Sequence, residues 1–119
     1  MIEVPEHLKD PVDLEFLRNI TDQDEEFEKD LLSIFIESSN SDVRKMEESI
    51  DNPSDNQWYL SSHSFKGSSA SIGAFSLAKT LESAQMNKDS SKEKKLEILK
   101  DIKIKLKKVT EFLTKEIIG

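Results

Sequence analysis

The chain has no cysteine and only three glycines, three prolines, one tryptophan and one tyrosine among its 119 residues. Without cysteine there can be no disulfide framework, no thiolate zinc site and no cysteine nucleophile, and a reducing compartment is the plain expectation. The cytoplasm is the expected location. No run alternates apolar with polar residues for long, so strands are poorly supported. No stretch approaches the ~20 apolar residues that span a bilayer. The first 30 residues are acidic where a secretory signal would be basic and then apolar, so neither export nor a membrane anchor is expected. A hydrophobic fraction of 35% can fill one core if helices present narrow apolar stripes.

Charge is unevenly spread. Residues 1–60 hold 17 acids and 5 bases (−12), whereas residues 61–119 hold 7 acids and 12 bases (+5), which sums to the formal −7. An acidic front half packed beside a basic last helix accounts for this. Nucleic acid is a poor partner for such a chain, because its phosphates need an unopposed basic face and the aromatics do not interleave with the lysines. From Asn56 to Leu81 there are 26 residues with no Asp or Glu, and His63, Lys66 and Lys79 lie among them. That interval suits a negative group.

The pattern predicts an all-α fold. Pro11 is expected in the first turn of a short helix carrying Val12, Leu14 and Leu17. Thr21 with Asp24 three residues later predicts the start of a long helix over 22–51, with a stripe of Phe27, Leu31, Ile34, Phe35, Ser39, Val43, Met46 and Ile50. Asn52-Pro53 predicts a turn with proline opening a third helix that stops at Ile72-Gly73. A fourth helix is expected from about Ala74 to Met86, with Leu77, Ala78 and Leu81 on one side. A loop over 87–91 then provides Ser90 or Ser91 as cap for a last helix with Leu96, Leu99, Ile102, Leu106, Val109, Leu113 and Ile117 in line. Four amphipathic helices on short links favour an antiparallel four-helix bundle, with the leading helix as a short N-terminal addition over one end of the core.

The third helix is weak by propensity, since six serines fall within 61–71 and Gly67 sits among them. Its apolar pattern restores it, because at about 100° per residue Trp58, Phe65, Ser69 and Ile72 share one side. On that wheel His63 lies about 200° from Phe65, projecting away from the core, with Lys66 one turn along and Gly67 beside it. An imidazole of ordinary pKa is largely neutral at pH 7 and offers a nucleophilic nitrogen without an activating base. Lys66 can neutralise a group attached there, and Gly67 leaves space for a partner's surface. Together these suit a phosphorylatable histidine. Other chemistries fare worse: the glycines lack P-loop spacing, the serines beside His63 have no GxSxG elbow and no acid, and His7 has no ligand spacing to His63.

The segment Trp58 to Gln85, WYLSSHSFKGSSASIGAFSLAKTLESAQ, resembles histidine-containing phosphotransfer (HPt) domains. The resemblance rests on His63, Lys66 and Gly67, then Gly73-Ala74, Leu77 and Leu81-Glu82. It covers nearly all of the chain and implies one such domain over 1–119, with a flexible tail over 1–10. It implies that His63 accepts a phosphoryl group from the aspartyl phosphate of one receiver domain and hands it to the aspartate of another, as a phosphocarrier with no nucleotide site rather than an enzyme. By the same likeness Lys66 would neutralise phosphoryl oxygens, Gly67 would admit the receiver, Ser68 or Ser69 would pack the helix, and Gln85 would hydrogen-bond near the histidine. Phe65 stands where leucine is usual. No cofactor or metal is expected in this chain, and magnesium would come from the receiver's acidic pocket. The expected partners are response-regulator receiver domains and a hybrid sensor kinase, met by a monomer through Leu60, Ser64, Gly67, Ser71 and the outward side of the second helix around 35–39. The alternatives are a helical adaptor that binds receivers without phosphotransfer and the dimeric phosphoacceptor part of a sensor kinase.

Overall fold

The computed structural model describes residues 10–52 and 56–119. The expected tail, apart from Asp10, lies outside the described residues, as do His7 and Pro53. The described residues form helices α1 (Leu14–Thr21), α2 (Glu25–Asp51), α3 (Gln57–Ser71), α4 (Phe75–Met86) and α5 (Lys92–Leu113). A π-helical turn, Thr114–Ile118, continues α5, and there is no strand among the described residues.

The boundaries follow from capping chemistry. Asp13 opens α1 by accepting from the Phe16 amide at 3.1 Å, so Pro11 precedes the helix instead of entering its first turn. Asp24 opens α2 in the same way through the Phe27 amide. Thr21 is therefore not the cap that its spacing to Asp24 suggested. It ends α1, and its hydroxyl donates to Glu28 Oε2 at 2.8 Å, a buried bond that ties α1 to α2. Asn56 precedes α3 in the left-handed region, φ 58°, with no side-chain cap bond. Ser91 caps α5 through the Lys94 amide.

Gly73 closes α3 at φ +87°. A Cβ there would stand 2.9 Å from the Asp13 carbonyl oxygen, and the Asp13 amide donates to the Gly73 carbonyl at 2.9 Å. The turn after α3 is thereby fastened to the start of α1, and only glycine permits both the dihedral and the approach.

The core comes from all five helices, with Leu17, Phe35, Met46, Phe65, Leu77, Leu81, Leu99, Ile102 and Val109 among its buried side chains. Full burial of each such aliphatic or phenyl group contributes about 1.5–3 kcal/mol. Helix α3 packs on α2 and α4, and α5 packs on the same two. The Trp58 indole N–H donates to the Ala84 carbonyl at 2.7 Å, pinning α3 to α4. Lys103 pairs with Glu47 and Lys92 with Asp51 between α5 and α2, so the basic last helix does lie against the acidic front half.

Two expected stripes are corrected. On α2 the buried line is Glu28, Leu32, Phe35, Ser39, Asp42, Met46 and Ser49, while Phe27 and Ile34 are 45% and 62% exposed. The Thr21 hydroxyl offsets part of the cost of burying Glu28 on this line. On α5 Lys95 is buried where Leu96 was expected, and Leu96 is exposed. The lysine stem packs in the core and its amine sits 5.4 Å from the Trp58 ring centre.

Candidate functional site

His63 is exposed at the middle of α3, on the side opposite the buried Phe65, which meets Phe35 with ring centroids 6.4 Å apart. One turn before it, Tyr59 stacks on the imidazole at 6.2 Å and 5° between planes. In this serine-rich helix three hydroxyls bond to the helix's own backbone: Ser62 donates to the Tyr59 carbonyl, Ser68 to that of Phe65, and Ser71 to that of Gly67. Such bonds satisfy those three hydroxyls locally.

Lys66 is half-buried, three residues after His63 and therefore on a neighbouring face. It lines a groove of about 410 Å³ between α3 and α4, with Gly67, Ala70, Phe75, Lys79 and Glu82. Among the described residues Lys66 enters no ion pair, so its charge is available to a ligand. Gly67 is exposed, and a Cβ built on it would meet nothing within 4 Å. A mid-helix glycine costs about 1 kcal/mol relative to alanine. Nothing within the described fold requires that cost, in contrast to Gly73.

The other expected residues separate into two groups. Leu60, Ser64 and Ser71 are exposed on the outward side of α3, and Leu60 is 58% exposed. Ser68 is half-buried and Ser69 fully buried, the latter's hydroxyl having no hydrogen-bond partner among the described residues. Gln85 is half-buried on α4, but its Oε1 is enclosed without a partner, so that atom accepts no hydrogen bond from His63. The surface expected on the outward side of α2 around 35–39 is carried by residues other than Phe35 and Ser39. Those two face the core, and the residues turned outward there are Ile34 and Glu37.

Sequence reasoning named Glu82 in the resemblance but gave it no place at the site, whereas the α3–α4 packing brings this first acid after the acid-free interval into the Lys66 groove. It also took Phe27 and Ile34 for core. Their apolar character was the right signal assigned to the wrong side. On the α2 wheel they share a shoulder with half-buried Leu31, about 90° from the buried line.

Among the described residues no three His, Asp or Glu side chains gather as a cation site would need. No helix among them is long and apolar enough to cross a membrane. A family model described as Hpt domain matches residues 30–111, or 82 of the 119 residues. No match was found among curated proteins or among solved structures. With an all-helical fold and 82 matched residues that include the His63 helix, the chain belongs to the Hpt domain family, whose members carry phosphoryl groups on histidine in two-component phosphorelays.

Proposed function

We propose that His63 is the phosphoacceptor of a multistep phosphorelay. An imidazole nitrogen attacks the phosphorus of an aspartyl phosphate on a receiver domain. The N–P bond forms, the acyl O–P bond breaks, and the aspartate leaves as a carboxylate. The reverse step on a second receiver returns the group to an aspartate. The chain acts as a phosphocarrier and binds no nucleotide. Its donor is a hybrid sensor kinase, and the magnesium belongs to the receiver's acidic pocket.

The observation that carries this reading is the exposed imidazole beside Lys66, which enters no ion pair among the described residues, and an open Gly67. Phosphoryl transfer needs in-line access and charge neutralisation more than covalent help, and these residues supply both. The helix itself has no Asp or Glu to repel a dianionic phosphoryl group. Docking uses Leu60, Ser64, Gly67 and Ser71, extended by the apolar shoulder of Phe27, Leu31 and Ile34 on α2. The site acts on a single domain over 1–119, an antiparallel four-helix bundle of α2–α5 with α1 against one end. This arrangement is supported by the mutual packing of those helices and by three-residue links at 22–24 and 72–74. The domain works as a monomer. Ser68 and Ser69 set the α3 packing, and Gln85 stands by as a polar neighbour rather than a ligand of the imidazole.

The test is transfer from a phosphorylated receiver domain, followed as acid-labile label on this chain. Wild type takes up label and His63→Gln takes up none. Equal labelling of both would remove His63 from the role. A receiver that binds tightly but never transfers would favour the adaptor.

A further inference from the structure

Among the described residues the His63 imidazole makes no side-chain hydrogen bond and no ion pair, and its one ring contact is with Tyr59, stacked on it at 6.2 Å between centroids and 5° between planes. Gln85, the polar neighbour expected to orient it, has an enclosed oxygen that accepts no bond. The orientation of an exposed side chain with two free torsions therefore rests on an aromatic contact. Tyr59 is the better held of the two rings, being half-buried where His63 is exposed.

Helix geometry accounts for the contact. A helical side chain leans over the turn N-terminal to its own Cα, so His63 lies over Tyr59, four residues earlier, and away from Lys66 and Gly67 on the following turn. Stacking restrains the imidazole through a ring face, whereas a hydrogen bond would occupy one of its nitrogens. The lone pair that attacks phosphorus lies in the ring plane and stays unobstructed. Charge adds a second effect. As the N–P bond forms from that lone pair and the acyl O–P pair leaves with the aspartate carboxylate, the imidazole becomes a cation that still holds its other N–H. The positive charge develops against the electron-rich face of the tyrosine ring, so the attraction is stronger during transfer than before it.

We propose that Tyr59 is a positioning residue for phosphoryl transfer, fixing the imidazole for in-line attack and stabilising the imidazolium that forms. This role rests on His63 being the phosphoacceptor. It belongs to the ring face and not to the hydroxyl, which makes no hydrogen bond among the described residues.

The experiment is rapid-quench transfer from a phosphorylated receiver domain to wild type, Tyr59→Phe and Tyr59→Leu over a range of receiver concentrations, with proton shifts of the His63 ring recorded on each protein alone. Tyr59→Phe is expected to match wild type within about twofold. Tyr59→Leu keeps apolar bulk but has no π face, and is expected to lower the maximal transfer rate about tenfold at an unchanged half-saturating concentration. It should also abolish the upfield ring-current shift of the imidazole protons. A wild-type rate in Tyr59→Leu would overturn the role while leaving His63 as acceptor. So would an equal loss in Tyr59→Phe, which places the effect in the hydroxyl, or a higher half-saturating concentration at an unchanged maximal rate, which makes Tyr59 a receiver contact only. No label on wild type would instead overturn the phosphoacceptor reading and this role with it. Should Tyr59→Leu fail to fold, Tyr59→Met takes its place, and unshifted imidazole protons in wild type itself overturn the stack.

Discussion

Gly67 and Gly73 are held by opposite constraints. Gly67 has ordinary helical dihedrals and open space above it, so Gly67→Ala should raise the melting temperature, a gain of up to about 1 kcal/mol. Gly67→Gln should keep the helix and abolish receiver binding, read by titration calorimetry. Gly73→Ala should cost about 1–3 kcal/mol, because a side chain there meets both a positive φ and the Asp13 carbonyl. Asp42 offers a pH-dependent test. Burial pushes its carboxyl above the ordinary value of 3.8, and Lys45 pulls part of that back. A carboxyl raised in the folded state stabilises the fold below the unfolded value and loses that contribution as pH rises through the folded one. Asp42→Asn should therefore raise the melting temperature at pH 7, and the gain should vanish below about pH 3.8.

At the scale of elements, the caps decide where helices begin. Asp24→Ala should destabilise by about 1 kcal/mol in urea unfolding, since it removes the acceptor of the Phe27 amide. The serine-rich α3 was legible as a helix because Trp58, Phe65, Ser69 and Ile72 keep helical period through the serines. The outward placement of His63 followed from the same wheel. What was not legible depends on contacts between elements. Thr21 reads as a cap until its hydroxyl is seen bonded to Glu28 on the next helix. Lys95 reads as a solvated charge until Trp58 arrives from α3 to cover it. Phe27 and Ile34 read as core because period alone cannot tell a buried line from an apolar shoulder about 90° away.

Across the whole molecule, charge and shape are arranged around α3. Acidic α2 and basic α5 pair with each other on one side, and α3 presents a face that its own residues leave free of carboxylates, with Glu82 of α4 reaching only the groove beside Lys66. Lys66→Ala should leave the circular dichroism spectrum unchanged while slowing phosphoryl transfer or shortening the lifetime of the phosphorylated form, measured by rapid-quench labelling. Unchanged kinetics would remove the ammonium from the chemistry. The most direct measurement is fragmentation mass spectrometry, under conditions that preserve N–P bonds, of the chain phosphorylated by a receiver. A phosphoryl group located on His63 is the predicted result; one located on a neighbouring serine, or no modified peptide between Trp58 and Lys66, would contradict it.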